Sequence, residues 1–208
     1  CGLQKRVRVE CSDPIPNKYS YFLPKEMPRF EPRFYAAVDL ADVQLLGERL
    51  EPLAGSVHLC IDHHVTNTRY AACTLVDPYQ AATAQLIYRV IREMGCKVTP
   101  AIADCLFTGI STDTGCFRYP NVTPETMRIA ADLMEAGAQA AYINRLMFET
   151  RSRARVRAER LILDTLTESF GGRCAEIVVS KAMMAETGVR EDELDGVSAL
   201  PRRIEGVW

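Results

Sequence analysis

Short apolar runs and helically spaced apolar residues alternate along the first half of the chain. Residues 34–39 ("FYAAVD") and 56–62 ("SVHLCID") are predicted strands, because short apolar runs that end at a polar residue are typical of buried strands. The intervening residues 40–50 are predicted to form a helix. Its apolar stripe comprises Val43, Leu46 and Leu50. A strand, a helix and a strand in this order predict a parallel sheet and hence an α/β fold.

Helix signals continue after residue 80. Gly95 is a predicted helix end, because the apolar residues before it recur at helical spacing. These residues are Leu86, Ile87, Val90, Ile91 and Met94. Thr99-Pro100 and Thr123-Pro124 each predict a helix start, with an N-cap residue followed by proline at the first helical position. The helix that opens at Thr99 is predicted to end near Thr108, which leaves the Gly/Ser/Thr-rich stretch after it as a turn.

Less regular patterns lie at the two ends of the chain. Val7 and Val9 alternate with charged residues in "KRVRVE" and predict a strand, as does the apolar run at residues 174–179 ("CAEIVV"). Gly171-Gly172 is a predicted turn before that second strand. The Pro-rich residues 23–34 are a predicted loop.

Composition narrows the class of protein. The 208 residues carry 25 Lys and Arg against 27 Asp and Glu, a net charge of -2, so a polyanion would need a local basic site or a bound metal. The eight cysteines form no Cys-x-x-Cys pair, which argues against zinc ribbons and redox motifs. Most lie in apolar runs such as "HLCID" and "IADCLF", where free cysteine packs as a small hydrophobe, so a cytoplasmic location is expected. No apolar run approaches the ~20 residues of a membrane span, and no membrane partner is expected.

Acidic residues and imidazoles are concentrated where the predicted strands end. Asp39 closes one strand, and Asp62 closes the next and is followed by His63 and His64. Parallel α/β sheets build their ligand crevices at the carboxyl ends of strands. A third carboxylate, Asp113, lies in the Gly/Ser/Thr-rich stretch "TGISTDTG". Carboxylates mixed with imidazole suit a divalent ion such as Mn²⁺ or Mg²⁺, so the pattern predicts a metal site.

Three segments carry a resemblance to a known family. "AAVDLAD" (36–42), "CIDHHVTNTRYA" (60–71) and the stretch from "FTGISTDTG" to "LMEAGA" (107–138) resemble, in order and spacing, the second, third and fourth motifs of the DHH phosphoesterase superfamily. The match is closest to its nano-RNase branch, the oligoribonucleases and 3'-phosphoadenosine-5'-phosphate (pAp) phosphatases. The resemblance implies a Rossmann-like DHH domain with a parallel sheet and flanking helices, then a linker helix and the beginning of a smaller α/β DHHA1 domain.

The resemblance also implies domain limits. Residues 1–144 would form the DHH domain, 145–169 the helical linker, and 170–208 the start of the substrate-binding DHHA1 domain. The family's first motif, a His and two Asp, would precede Cys1, and the glycine-rich motif of DHHA1 does not occur before residue 208. The sequence is therefore expected to be the middle of a longer enzyme, truncated at both ends.

Residue roles follow from the matched motifs. Asp39 would bridge two metal ions, with His63 and Asp113 completing the ligands of one of them. Asp62 and His64 would be the catalytic residues: Asp62 supports the site from behind the ligands, and His64 faces the substrate phosphate and assists the leaving oxygen. Mn²⁺ is the expected metal, with Mg²⁺ as the alternative.

Arg118 is a further candidate, a substrate-binding residue, because a guanidinium group matches phosphoryl oxygens. Between Arg145 and Arg160 lie further arginines that could follow a phosphate backbone. Those at 151, 153, 155 and 157 are spaced by two, so on a helix they spread around the axis, which favours a solvated linker helix. His58 alternates with apolar neighbours on its strand and is expected to lie outside the site.

The implied function is metal-dependent hydrolysis of short RNA or DNA oligonucleotides, of nucleotide phosphates such as pAp, or of both, by water activated between two metals. Pyrophosphatase-like and RecJ-like exonuclease activities are alternatives within the class. A catalytically silent DHH module that binds nucleotides or regulates a partner is the alternative from another class. A homodimer is considered but not required.

Overall fold

A computed structural model describes residues 5–23 and 29–207 of the chain. The chain consists of two compact units, and the boundary in the sequence lies between Glu149 and Thr150. Part of the predicted Pro-rich loop, residues 24–28, lies outside the described residues.

The first unit is organised by a sheet of three strands, which is parallel as the sequence predicted. Its strands are β1 (Ala36–Val38), β2 (Leu59–Asp62) and β3 (Cys73–Val76), in the order β1-β2-β3. Val38 pairs with Ile61. Because the strands are parallel, the residues that follow β1 and end β2 lie at the same edge of the sheet.

Among the described residues, the first unit also has four α-helices and a final π-helical turn. They are α1 (Thr83–Glu93), α2 (Pro100–Asp113), α3 (Pro124–Glu135), α4 (Ala140–Asn144) and the turn Arg145–Glu149. The predicted caps are confirmed: Thr99 accepts a hydrogen bond from the Ile102 amide, and Thr123 accepts one from the Thr126 amide. The helices pack around a core whose fully buried large side chains include Phe107, Ile110, Leu133 and Ile143.

The second unit is a smaller α/β arrangement with its own core. Its regular elements are α5 (Arg153–Leu163), β4 (Thr167–Ser169), β5 (Cys174–Glu176) and α6 (Lys181–Thr187). The two strands pair in an antiparallel hairpin, whose tight turn holds Gly171 and Gly172 at positive φ. Ala158, Ile162, Val189 and Leu194 form the buried core.

Arg155 is an exception to the solvated helix expected for the arginine-rich segment. Its side chain is buried, its Nε donates to Glu159 Oε1 at 2.7 Å, and its guanidinium also donates to the Glu193 carbonyl at 2.5 Å. This arginine therefore ties α5 to the chain beyond α6 and is committed to folding the second unit.

Two predicted elements are wrong. Residues 40–50 do not form one α-helix; a short 3-10 helix (Val43–Leu46) stops at Gly47, which has φ +73°, and a second one (Glu51–Ser56) follows. A glycine in the left-handed region ends a helix. Val7 and Val9 are exposed and belong to no strand of the described residues, so the alternation in "KRVRVE" was not enough to form a ladder.

A third prediction misplaced the end of α2. The helix continues past Thr108 to Asp113, and the hydroxyls of Thr108 and Thr112 bond back to carbonyls of the preceding turn, so both residues fit the helix. Thr108 Oγ1 donates to the Asp104 carbonyl at 2.7 Å, and Thr112 Oγ1 donates to the Thr108 carbonyl at 2.9 Å. Asp113 is consequently the last residue of a helix instead of a turn residue.

The described cysteines are all free. Cys60 is buried as expected, whereas Cys105, in "IADCLF", is exposed. Within residues 5–23 and 29–207, the helices are too short and too polar to cross a bilayer.

Close approach of α1 and α2 leads to a prediction about Gly109. A Cβ added there would lie 2.9 Å from the Ala84 Cβ. In an ordinary helix Gly→Ala is stabilising by about 1 kcal/mol, but here we expect Gly109→Ala to lower the free energy of unfolding by about 1–3 kcal/mol through overpacking. Urea denaturation measures the change. Adding Ala84→Gly should restore much of the loss, and stabilisation by Gly109→Ala alone would contradict the packing.

Candidate metal centre

Asp39 follows β1 directly and has an unusual backbone. Its φ is +61°, in the left-handed region that aspartate tolerates better than most residues. The Asp39 amide still donates to the Ile61 carbonyl at 2.9 Å, so the residue is held against β2. Its Oδ1 accepts a hydrogen bond from Thr83 Oγ1 at 2.7 Å. Asp39 therefore presents a fixed carboxylate at the edge of the sheet.

Asp62 ends β2 and is completely buried. Its Oδ1 accepts hydrogen bonds from the His63 amide at 2.8 Å and from His64 Nδ1 at 2.7 Å, and its Oδ2 accepts one from Asn67 Nδ2 at 2.7 Å. Burial works to raise the pKa of Asp62, but the hydrogen bonds from Asn67 and His64 outweigh it and lower that pKa. A buried aspartate of this kind remains charged and orients the residues that bond to it.

His63 has its two ring nitrogens in different surroundings. Nδ1 lies 3.0 Å from the Gln80 carbonyl, which can only accept, so Nδ1 donates to it and Nε2 is the ring nitrogen that faces the carboxylates. Nε2 lies 3.6 Å from Asp39 Oδ1 and 3.7 Å from Asp113 Oδ2. These separations are long for hydrogen bonds but fit donors around one ion, since two bonds of about 2.0–2.2 Å span up to about 4.4 Å.

Asp113 is the last residue of α2, and its carboxylate lies beside His63 Nε2. Its side chain is half-buried. Burial first, and then the negative charge of Asp39, raise the pKa of Asp113 to about 6, while His63 and His64 act in the opposite direction. Two carboxylates that repel each other beside an imidazole nitrogen that faces both form a site that a cation would stabilise.

His64 lies at the exposed side of the cluster. Its Nδ1 is 3.8 Å from Asp39 Oδ1, in addition to the bond to Asp62. That bond to Asp62 is the main reason why the pKa of His64 is raised, against the effect of burial. Asp39, His63 and His64 each offer one potential ligand atom, and these atoms all lie within 4.8 Å of one another. The structure thus brings together five of the six predicted site residues.

Arg118, the sixth, is exposed and makes other contacts. Its Nε donates to the Gly115 carbonyl at 2.5 Å, and its guanidinium lies 5.8 Å from the centre of the Phe148 ring. Its role as a phosphate contact stays a prediction. His58 was expected to lie outside the site; it accepts a hydrogen bond from the Tyr35 amide at 3.2 Å and stacks on Phe34.

Sequence reasoning missed three residues that hold the cluster: Thr83, Asn67 and Gln80. Asn67 could have been suspected, because it lies three residues after His64 in the "DHH" segment. Gln80 contributes its backbone carbonyl and Thr83 contacts a residue 44 positions away, so neither had a signal in the local pattern.

Comparison with known proteins agrees with this fold and cluster. No family model matches the chain. The chain is similar to a protein of Thermus thermophilus named bifunctional oligoribonuclease and PAP phosphatase NrnA, with 36% identity over 200 residues that cover 92% of this chain and 58% of that protein. The chain thus spans just over half the length of this curated relative. The chain is also similar to a probable manganese-dependent inorganic pyrophosphatase of Staphylococcus aureus, with 31% identity over 78 residues. These residues cover 36% of this chain and 25% of that protein.

A solved structure supports the same fold. The chain resembles an exopolyphosphatase-related protein from Bacteroides fragilis with a TM-score of 0.76 and 23% identity, over 83% of this chain and 52% of that one. With the three motifs, these likenesses confirm that the chain belongs to the DHH phosphoesterases. Within that superfamily, the Thermus relative lies in the oligoribonuclease and pAp phosphatase branch that the sequence predicted.

The raised pKa of Asp113 predicts an effect on stability in the absence of metal. A carboxyl group with a folded-state pKa of about 6, above its ordinary value of about 4, contributes stability at low pH that is lost as the pH rises through about 6. One pKa unit is worth about 1.4 kcal/mol, and partial exposure reduces the effect. We therefore expect Asp113→Asn to raise the free energy of unfolding at neutral pH by about 1–2 kcal/mol.

Urea denaturation with a chelator, at neutral pH and near pH 4, measures this change. The gain should be present at neutral pH and absent near pH 4. Asp192→Asn is the control, because Asp192 is an exposed carboxylate paired with Arg190 and should give no gain. An equal change at both pH values would show that ionisation of Asp113 is not its cause.

Proposed function

We propose that the protein to which this chain belongs is a metal-dependent phosphoesterase that hydrolyses short oligonucleotides, pAp, or both. The observation that carries the proposal is the convergence of Asp39, His63 and Asp113 at one edge of the sheet, with His63 Nε2 3.6 and 3.7 Å from the two carboxylates. The substrate class comes from the Thermus relative, whose name states oligoribonuclease and PAP phosphatase activities.

Asp39, His63 and Asp113 would hold the ion. Their oxygen and imidazole donors suit Mn²⁺, with Mg²⁺ as the alternative, and the relative named as manganese-dependent supports the first. A bound divalent ion supplies a water activated for attack and neutralises charge on the phosphoryl group. A second ion sharing Asp39 remains part of the proposal on family resemblance.

The other candidate residues, Asp62, His64 and Arg118, would orient side chains, transfer a proton or bind the substrate. Asp62 accepts a hydrogen bond from His64 Nδ1 and so holds the ring, which leaves Nε2 as the nitrogen that would face the substrate. The raised pKa of His64 keeps it protonated to a higher pH than an ordinary histidine, which suits a general acid that protonates the leaving oxygen. Arg118 would contact a phosphate of the substrate.

Activity assays test the proposal. The full-length protein with Mn²⁺ should release mononucleotides from short RNA, or phosphate from pAp, and a chelator should abolish this. His63→Ala should reduce the rate by about 10²–10³-fold, because a lost ligand removes several kcal/mol of metal-dependent stabilisation.

His58→Ala is the matched control, since it removes a histidine from the same segment without touching the cluster, and it should retain activity. No release of either product by folded protein that binds Mn²⁺ would favour a nucleotide-binding module instead. Equal losses in both histidine variants would contradict the assigned role of His63.

A further inference from the structure

Thr83, the first residue of α1, contacts the candidate metal centre from behind. Its side chain is only 3% exposed, and its hydroxyl lies 2.7 Å from Asp39 Oδ1, on a residue 44 positions earlier in the chain. We infer that Thr83 is a positioning residue: its hydrogen bond fixes the Asp39 carboxylate in the orientation that faces His63 and so raises the affinity of the centre for its metal. This inference rests on the proposed function.

The Asp39 carboxylate needs such a contact because its backbone alone does not orient it. The amide bond to Ile61 and the left-handed φ of +61° fix the main chain. The side chain is about half exposed, and two rotatable bonds separate its oxygens from the backbone. A side chain that becomes ordered only on ligand binding loses conformational entropy at that step. A hydrogen bond that already orders the side chain in the free protein reduces this cost of binding.

A single donor leaves the carboxylate free to bind an ion. A carboxylate has about four lone-pair positions, and Thr83 occupies one of them on Oδ1. The hydroxyl donates without carrying charge, so it does not compete with a cation for electrostatic attraction as a lysine or arginine would. A threonine at this position therefore orients the carboxylate and preserves its negative charge.

The segment that contains Thr83 is held by a buried amide network. Gln85 is completely buried; its Oε1 accepts from the Ala81 amide at 2.9 Å, and its Nε2 donates to Gln80 Oε1 at 3.0 Å. Gln80 in turn offers the carbonyl that accepts from His63 Nδ1. The segment from Gln80 to Gln85 thus orients His63 through a carbonyl and Asp39 through a hydroxyl.

The contact of Thr83 with Asp39 also has a role separable from helix formation. The N-cap position of α1 is Ala82, which offers no side-chain cap, and the Thr83 hydroxyl is directed to Asp39. A purely structural threonine would affect folding stability and leave the metal affinity of the folded protein unchanged. A positioning threonine changes the metal affinity, and serine, which keeps the hydroxyl, should replace it.

The test compares Mn²⁺ affinity, read from the electron paramagnetic resonance signal of the free ion, in wild-type full-length protein, Thr83→Val, Thr83→Ala and Thr83→Ser. We expect the two variants without a hydroxyl to bind Mn²⁺ about 10–100-fold more weakly, as for other groups that orient a metal ligand. Thr83→Ser should retain most of the affinity. Activity of Thr83→Val should recover as Mn²⁺ is raised. If Thr83→Val does not fold, the Mn²⁺ affinity of Thr83→Ala, which also lacks the hydroxyl, still tests the inference.

Thr108→Val is the matched control, because Thr108 is as buried as Thr83, at 4% exposure, and bonds to Tyr21 away from the cluster. It should leave the Mn²⁺ affinity unchanged. Unchanged affinity in Thr83→Val, or an equal loss in Thr108→Val, would overturn the inference and leave the proposed function standing. If the wild-type protein bound no Mn²⁺, this result would contradict both the proposed metal centre and the inference about Thr83.

Discussion

Parallel pairing of β1 with β2 is the constraint on which the candidate centre depends. It brings the residue after β1 and the residues that end β2 to one edge of the sheet. Asp39 therefore lies close to the run Asp62-His63-His64, although 22 residues separate Asp39 from Asp62 in the sequence. An antiparallel pairing would send these ends to opposite edges. The two later contributions, the end of α2 and the start of α1, reach the same edge because these helices pack closely where Gly109 faces Ala84.

The cluster combines groups that disfavour one another in the absence of a cation. Burial disfavours the charged form of Asp113, and the negative charge of Asp39 adds to this effect. By contrast, Asp62 is fully buried yet stabilised in its charged form by three donors. The surrounding hydrogen bonds therefore distinguish Asp62, which orients its neighbours, from Asp39 and Asp113, the two aspartates proposed as metal ligands.

How far the sequence predicts this arrangement depends on whether a contact is local. The tips of β1 and β2, the caps at Thr99 and Thr123 and the fold class follow from local patterns and were confirmed. The end of α2 was misplaced, because Thr108 and Thr112 satisfy their hydroxyls within the helix, which a Gly/Ser/Thr-rich pattern does not reveal. The contact of Thr83 with Asp39 depends on the tertiary approach of α1 to β1, so no spacing rule could find it.

The most direct test of a metal centre at this edge is anomalous diffraction from crystals of the full-length protein grown with Mn²⁺. We predict an anomalous peak within bonding distance of His63 Nε2 and of carboxylate oxygens of Asp39 and Asp113, with Asp62 hydrogen-bonded to His64 and not to the ion. A well-ordered cluster with no peak beside it, or a Mn²⁺ ion bound by other residues while these three stay free, would contradict the account.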